Sequence, residues 1–362
     1  MRKLILGISL VIFALTAAAV FFDSFKKPFE NPPAGGKEAE IIGDLAIIRQ
    51  LDKNLILEKI EQGKDYLLRV IDKDENGVHK YYYALEDSFE PRLHTIYTSS
   101  TIYTLLRFYN FKKDEAILKQ IFDSGEFILS MQNKDLPAQA GEKSKAFGAF
   151  HYSYFLDTKE KEEYYVTGTT AKTIFTLLEL YKITGEDRYL TAAKLGADWL
   201  VSMQKEDGKM ISYRVYRDGE WFLSKKYSLL YDGQALSAFS RLYDIEKEEK
   251  YYKAAEKIAQ NFAELVENEG CYVGDDYRTK NPISSSWVVL SLLDFYKISG
   301  EDLYKNIVFQ CSNDFLKRQI TKDGDVINHG RWQEAFSTSG VGWIMEVTTE
   351  IYHFCKEQER ED

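Results

Sequence analysis

The stretch "LLELYKITGED" at residues 177–187 recurs almost unchanged as "LLDFYKISGED" at residues 292–302. Each copy begins with apolar residues at helical spacing, reaches a glycine, and continues with two acidic residues. Glycine commonly follows the last residue of a helix, and acidic side chains favour the first turn of the next helix. Each copy is therefore predicted to hold the end of one helix, a tight turn and the start of another.

The first half of this stretch makes internal repetition the strongest feature of the sequence. Segments that end in a spacer, an apolar residue and a tyrosine occur at 105–109, 177–181, 239–243, 292–296 and, more weakly, 348–352. A second kind of helix carries an aromatic residue beside an acid or an amide, at Asp65-Tyr66, Glu126-Phe127, Asp198-Trp199, Asn261-Phe262 and Asp314-Phe315. The sequence thus predicts five helices of each kind.

Helices of the first kind are apolar on most sides, which predicts an inner ring surrounded by the second kind. An open solenoid of helix pairs is the alternative. We favour a closed ring because the terminal helices do not resemble polar caps. The predicted fold class is all-α, an α/α barrel (toroid) of about five helix pairs. Alternating residues around Gly208, in the connection 204–214, predict short β-hairpins at one rim.

The composition excludes several classes of protein. With 44% hydrophobic and 14% aromatic residues among 362, the chain can form a large core. A net charge of −10 argues against nucleic-acid binding. Cys271, Cys311 and Cys355 are odd in number and widely spaced. We expect them to be small core residues, and not a disulfide framework or a metal site.

Residues 1–22 are typical of a signal peptide or an N-terminal membrane anchor. Arg2 and Lys3 precede an apolar run, and Ala17 to Ala19 would suit cleavage, but the run is also long enough to span a membrane. Residues 23–39 contain three prolines and predict a linker. The barrel domain is assigned to residues 40–362. Either alternative places it on the extracytoplasmic side, membrane-anchored or secreted.

Connections from outer to inner helices should gather at one rim, where the inner helices begin. Serine, threonine and aspartate at these starts are expected to be N-caps. Asp232, in "YDGQ" at 231–234, stands where other repeats have Thr98, Thr170 and Ser285. We predict that Asp232 caps its helix, and a role in a ligand site is compatible with this. Five helix N-termini facing one cavity would favour a negatively charged ligand.

The residues expected at this rim have the composition of a carbohydrate site. Aromatic faces pack on sugar rings, and fixed polar groups bind hydroxyls and carboxylates. The candidate substrate-binding residues are His151, Tyr152, Tyr213, Arg214, Tyr231, Gln234, Arg278, His329, Arg331 and Trp332. The five histidines show no metal-ligand spacing, and the sequence has no glycine-rich phosphate loop and no nucleophile elbow. Neither a metal nor another cofactor is expected.

Several segments within about residues 165–350 form a recognisable set: "GQALSAFSRLY" at 233–243, "KYYKAA" at 250–255, Asp276-Tyr277 with Pro282, "SSWVVL" at 285–290, and Arg331-Trp332. Together they resemble the C-terminal domain of D-glucuronyl C5-epimerase. The resemblance implies a toroid that converts glucuronate to iduronate units within polysaccharides, without a metal or organic cofactor. It implies proton transfer by Tyr277, while Asp276 replaces a glutamate. Two further tyrosines of that family are not matched, since Gln333, Glu334 and Phe336 follow Arg331-Trp332.

Removal of the C5 proton of a uronate begins both epimerisation and elimination across C4–C5. Tyr277 is the candidate acid or base, and Arg278 or Arg331 could anchor the carboxylate. A hydrolase would need two carboxylates, for which Asp232 with Asp275 or Asp276 is the candidate pair. The catalytic candidates are thus Tyr277, Asp276 and Asp232. A lyase or glycoside hydrolase on the same scaffold is the alternative, and so is a non-catalytic glycan-binding envelope protein.

Overall fold

The computed structural model describes residues 52–134, 145–321, 327–333 and 337–358. Ten helices lie in these ranges: α1 (Lys53–Arg69), α2 (Thr95–Phe111), α3 (Glu115–Ser130), α4 (Thr167–Thr184), α5 (Asp187–Ser202), α6 (Leu229–Glu246), α7 (Glu249–Glu269), α8 (Pro282–Ser299), α9 (Asp302–Lys317) and α10 (Thr338–Glu357). None of them is long and apolar enough to cross a membrane. The leader or anchor predicted at 1–22 and the linker predicted at 23–39 lie outside the described residues.

The even-numbered helices form an inner ring in chain order, with α2 against α4, α4 against α6, α6 against α8, and α8 against α10. Helices α3, α5, α7 and α9 each pack outside the inner helix that precedes them, and α1 contacts α2. On α7 the buried residues, including Tyr251, Ala255, Ile258 and Phe262, recur every three or four positions. On α8 residues are buried on most sides. One apolar stripe is enough for an outer helix, whereas an inner helix is surrounded. The predicted α/α toroid is confirmed.

The tight turns between inner and outer helices are as predicted. Gly185 follows α4 with φ 71°, and Gly300 follows α8 with φ 70°. This left-handed conformation carries no steric penalty for glycine. Asp187 and Asp302 are the first residues of the next helices. Since these turns are short, the opposite rim receives all the long connections.

Seven short strands lie in the described parts of the long connections, as predicted for one rim. They are β1 (Tyr82–Tyr83), β2 (Ser88–Phe89), β3 (Arg92–His94), β4 (Ser153–Phe155), β5 (Tyr164–Val166), β6 (Tyr213–Arg217) and β7 (Glu220–Leu223). Strands β1 with β2 and β6 with β7 pair within one connection. Strand β3 pairs with β4, and β5 pairs with β6, so neighbouring connections are bonded to one another. These pairs hold the rim over the starts of the inner helices.

The fourth residue of four inner helices binds the connection that precedes its helix. In each case a side-chain oxygen accepts a hydrogen bond from a backbone N–H. The donors and acceptors are Val78 N to Thr98 (2.9 Å), Phe150 N to Thr170 (3.3 Å), Met210 N to Asp232 (3.0 Å) and Val273 N to Ser285 (3.0 Å). The predicted equivalence of these positions is confirmed. The prediction that Asp232 is the N-cap of α6 is wrong, because α6 already begins at Leu229. The N–H of Leu229 donates to the Asp275 carboxylate instead (2.9 Å).

The expectation that the cysteines form no disulfide is wrong. Cys271 and Cys311 are bonded, with Cα atoms 5.1 Å apart. Cys271 follows the end of α7, and Cys311 lies inside α9. The two helices pack as neighbours on the outside of the ring, which brings together residues 40 positions apart in the sequence. Spacing along the chain could not reveal this contact.

Candidate functional site

Five tyrosines meet at the rim where the inner helices begin. Tyr152 and Tyr164 have ring centroids 5.3 Å apart, and Tyr164 and Tyr213 lie 5.2 Å apart. The ring centroid of Tyr231, in the first turn of α6, lies 6.4 Å from that of Tyr277, in the connection before α8. We call these five residues the tyrosine cluster. Three separate connections and one inner helix contribute to it.

Electrostatic coupling shows that the tyrosine cluster is one group. Burial raises the pKa of Tyr164, and Tyr231, Tyr213, Tyr152 and Tyr277 raise it further. Burial, followed by Tyr277 and Tyr152, raises the pKa of Tyr231 to about 12. Phenols with raised pKa values keep their protons at neutral pH. Tyr164 and Tyr231 can therefore donate hydrogen bonds to a ligand at this rim.

Cationic side chains accompany the tyrosine cluster. The Lys226 ammonium lies 5.3 Å from the centroid of the Tyr277 ring, and the Tyr277 hydroxyl is 3.1 Å from Ser224 Oγ. Arg278 lies close enough to Tyr231 to oppose the rise of its pKa. On the other side of the rim, Lys80 lies 5.5 Å from the Tyr97 ring. These cations could bind an anionic group of a ligand at this rim.

Gly168 allows two neighbouring inner helices to approach each other at the rim. A Cβ atom on this residue would lie 2.5 Å from Tyr231 Cδ1 and would also overlap Gln234 Oε1. Gly168 belongs to the first turn of α4, while Tyr231 and Gln234 belong to the first two turns of α6. The absence of a side chain at position 168 therefore sets the place of Tyr231 and Gln234.

Below the tyrosine cluster, aromatic rings surround Lys172 inside the ring of helices. Its ammonium lies 4.7 Å from the Phe175 centroid, 5.1 Å from Trp287 and 5.7 Å from Tyr103. Trp287 belongs to α8, which is separated from α4 by α6 in the ring. A contact between helices that are not neighbours has to cross the lumen of the barrel. Lys172 therefore lies in this lumen.

A layer of charged residues closes the lumen further from the rim. The thirteenth residue of each inner helix is charged: Arg107, Glu179, Arg241, Asp294 and Glu350. Arg241 Nε lies 2.9 Å from Asp294 Oδ2, and Arg241 Nη1 lies 3.5 Å from the Tyr103 hydroxyl across the ring. Burial opposes the charge of Arg241, but Asp294 and Tyr103 outweigh it and raise its pKa. We call these five residues the charged floor.

His151 does not belong to the tyrosine cluster. Its Nδ1 lies 3.0 Å from the Glu162 carbonyl oxygen, and its ring lies 4.8 Å from that of Tyr165. His79 occupies the equivalent place in the previous connection, with Nδ1 2.8 Å from the Glu90 carbonyl oxygen. In both connections the histidine is bonded to a residue eleven positions later. A contact that recurs between repeats indicates that His151 shapes its connection.

Arg214 lies on the opposite face of its strand from Tyr213. Successive side chains in a strand point to opposite faces. Tyr213 faces Tyr164, whereas the Arg214 guanidinium lies 5.5 Å from the Trp221 ring and donates to the Lys145 carbonyl oxygen. Burial lowers the pKa of Arg214. Of this predicted pair, the structure brings only Tyr213 into the tyrosine cluster.

The three aspartates considered for catalysis bind backbone groups. Asp232 is fully buried and accepts from Met210 N. Asp276 Oδ2 accepts from Tyr227 N at 2.8 Å, and Asp275 accepts from the N–H groups of Leu229, Tyr277 and Arg278. The carboxylates of Asp275 and Asp276 hold the connection before α8 against the start of α6, whereas Asp232 holds the connection before α6. This arrangement places Tyr277 and Arg278 at the rim.

The predicted residues His329, Arg331 and Trp332 lie in a turn after α9. Trp332 is buried against Ile344, and its Nε1 donates to the Phe315 carbonyl oxygen at 2.9 Å. His329 is exposed, and the backbone carbonyl of Arg331 accepts from Ile320 N at 2.8 Å. Trp332 thus joins α9 to α10.

Sequence reasoning found Tyr152, Tyr213, Tyr231, Tyr277, Gln234 and Arg278 at this rim. It missed Tyr164, the central ring of the tyrosine cluster, and the cations Lys80, Lys172 and Lys226. Alternation along β5 could have indicated Tyr164, because Tyr164 and Val166 point to one face. In the described part of the chain, no group of three or more His, Cys, Asp or Glu residues is arranged to bind a metal.

Comparison with solved structures places this geometry in a known architecture. Cellobiose 2-epimerase from Bacillus thermoamylovorans has a TM-score of 0.67 and 12% identity, with 95% of this chain and 88% of that one covered. The GH76 α-mannanase from Bacteroides thetaiotaomicron has a TM-score of 0.66 and 14% identity, with 97% of this chain and 88% of that one covered. A D-mannose isomerase has a TM-score of 0.60 and 11% identity, with 94% of this chain and 87% of that one covered. These likenesses establish the α/α toroid. No protein-family model and no curated protein matches the sequence.

Proposed function

We propose that this protein is a carbohydrate-active enzyme of the epimerase or isomerase class that acts on a uronate-containing saccharide. The observation that carries the proposal is the tyrosine cluster with its cations at the mouth of an aromatic-lined lumen. Phenols and lysines are suited to move a proton next to a carboxylate. Known proteins of similar structure include sugar epimerases and a mannose isomerase, which supports the class.

The proposed reaction begins at C5 of the uronate. Tyr277, beside Lys226, first releases its phenolic proton to solvent. The resulting phenolate takes the C5 proton, and the electron pair of the broken C–H bond moves into the carboxylate. Tyr231 keeps its proton because of burial, and it returns a proton to the opposite face of C5. Proton exchange with solvent then returns Tyr231 to the phenol and Tyr277 to the phenolate, so no net proton is gained or lost. The product differs from the substrate only in its configuration at C5, so no bond between sugars is broken.

The surroundings of the aspartates favour this reaction over hydrolysis. Hydrolysis needs one carboxyl to protonate the leaving oxygen and another to activate water or attack the sugar. Asp232, Asp275 and Asp276 instead accept backbone hydrogen bonds, and Asp232 is completely buried. Elimination would begin with the same loss of the C5 proton. The two reactions are therefore separated by their products.

The test measures solvent deuterium at C5 after the full chain is incubated with glucuronate polymers in D₂O. Mass spectrometry and NMR should find deuterium at C5 and inverted units in polymers of unchanged length. Tyr277→Phe should reduce incorporation at least about 100-fold, the loss typical of a proton-transferring group. Tyr109→Phe is the matched control, because Tyr109 lies at the opposite end of α2 and should leave the rate unchanged.

Other outcomes would replace the proposal. Unsaturated products would identify a lyase, and new reducing ends without deuterium would identify a hydrolase. Binding to a uronate polymer without incorporation or cleavage would identify a non-catalytic glycan-binding protein. Undiminished deuterium incorporation by Tyr277→Phe would support the proposed class of reaction but show that Tyr277 is not the base.

We also propose that the domain works on the extracytoplasmic side, membrane-anchored or secreted. Arg2, Lys3 and the apolar run that follows support export. The Cys271–Cys311 disulfide supports it independently, because such bonds persist in oxidising compartments. Treatment of intact cells with a protease that does not enter them should degrade an anchored domain, and a secreted domain should appear in the medium. Protection of the protein inside the cytoplasm would contradict this placement.

A further inference from the structure

Lys172 is a cation in the lumen with no acidic partner in the described structure. No hydrogen bond or ion pair joins it to any described residue, and its contacts are the rings of Tyr103, Phe175 and Trp287. Lys172 is half-buried, so water reaches it through the lumen. Its N–H groups therefore have no acceptor among the described residues and can donate to a ligand.

The other cations of the lumen have partners. Arg241 binds Asp294, and Arg107 donates to the Tyr103 hydroxyl at 2.7 Å. Glu350 and Glu179 lie close enough to Arg107 to raise its pKa, after the larger effect of Tyr103. The two arginines of the charged floor thus face its three acids, of which Glu179 also pairs with Lys182. An anion that enters the lumen would find its free positive charge at Lys172.

The height of Lys172 in the barrel suits a ligand that enters from the rim. Lys172 is the sixth residue of α4, and Glu179 of the charged floor is the thirteenth. At 1.5 Å per residue, seven residues separate the two by about 10 Å along the helix. Gln234 and Trp287 are the sixth residues of α6 and α8, so all three share one level below the tyrosine cluster.

We propose that Lys172 binds the carboxylate of the substrate and thereby selects uronates over neutral sugars. This proposal deepens the proposed function and rests on it for the class of substrate. The ammonium would donate to the carboxylate oxygens and stabilise the negative charge that forms there when C5 loses its proton. The three aromatic rings hold the side chain in place through cation–π contacts without neutralising it.

The test compares acidic and neutral sugars of the same linkage by calorimetric binding to the full chain. The probes are hexasaccharides of β-1,4-linked glucuronate and mannuronate, with cellohexaose and mannohexaose as neutral counterparts. The wild type should bind at least one acidic probe about tenfold or more tightly than its neutral counterpart, as a charge-assisted contact predicts. Lys172→Met should remove this preference by weakening the acidic probe far more than the neutral one, since methionine can occupy the same aromatic surroundings without a charge.

Two further variants make the test decisive. Lys172→Arg keeps the charge and should keep most of the preference. Lys113→Met is the control, because Lys113 also lies over a tyrosine ring, that of Tyr109 at 4.2 Å, but beyond the far end of α2. A preference that survives in Lys172→Met, or a wild type without any preference in either pair, would overturn the inference. Because binding needs no turnover, loss of the preference without deuterium incorporation would refute the proposed reaction alone.

Discussion

Replacing Asp232 with asparagine should stabilise the protein at neutral pH, and the gain should shrink as the pH falls. Burial raises the pKa of Asp232 from 3.8 to about 8, although the Met210 N–H and Tyr227 oppose the rise. The folded state therefore keeps a proton that the unfolded chain loses above about pH 4. The contribution of Asp232 to stability falls as the pH rises between these two pKa values. Asparagine does not titrate and can still accept from Met210.

The magnitude follows from the same two pKa values. Relative to a neutral side chain, Asp232 costs about 1.5 kcal/mol at pH 5 and about 4 kcal/mol at pH 7, at 1.36 kcal/mol per pKa unit. The advantage of Asp232→Asn in the free energy of unfolding should thus grow by about 2–3 kcal/mol over this range. Urea unfolding of both proteins at pH 5 and pH 7 measures this difference directly.

A matched variant separates titration from hydrogen bonding. Thr170 has the equivalent place in α4 and accepts from Phe150 N. Thr170→Val should destabilise by about 1–2 kcal/mol at both pH values, because it leaves the buried N–H without its partner. An advantage of Asp232→Asn that is equal at pH 5 and pH 7 would refute the raised pKa. Loss of deuterium exchange in a folded Asp232→Asn protein would instead make Asp232 catalytic.

Two further predictions concern the rim and the disulfide. Gly168→Ala should displace Tyr231 and weaken saccharide binding about tenfold or more. The circular dichroism spectrum should remain that of a helical protein. Unchanged binding would show that the rim adapts to the added methyl group. Reduction of the Cys271–Cys311 bond, which closes a segment of 40 residues, should cost about 3–4 kcal/mol of stability. Under reducing conditions neither the wild type nor the Cys271→Ser/Cys311→Ser variant has the disulfide, so both should unfold at the same urea concentration. A remaining difference would show that the variant also loses stability through altered packing.

The fold was predictable because its causes are local and repeated. Apolar residues at helical spacing, a glycine after α4 and α8, and acidic residues after each glycine all lie within a few positions of one another. The apolar segment occurs five times and the turn with glycine and acidic residues twice, and this repetition indicated ring symmetry as well as secondary structure. The Cys271–Cys311 bond was missed because it joins two outer helices and repeats nowhere in the chain.

The candidate site was predictable only in part because strands decide which side chains face it. Tyr213 and Arg214 are adjacent in the sequence, yet the pleat sends one to the tyrosine cluster and the other to Trp221. Tyr164 enters the cluster and Tyr165 leaves it for the same reason. A one-residue shift in strand register reverses every such assignment. Composition alone could therefore place these residues at the rim but could not orient them.

Comparison of the repeats within this one chain separates scaffold from site. At the fourth position of the inner helices, Thr98, Thr170, Asp232 and Ser285 differ in type but perform one task, binding a backbone N–H. At the sixth position, the residues are Ser100, Lys172, Gln234, Trp287 and Trp343, which are of four different types. A symmetric ring needs the same contact from every repeat, whereas an asymmetric sugar needs a different contact from each. The sixth position, and Lys172 in particular, is therefore where specificity for a substrate should be altered first.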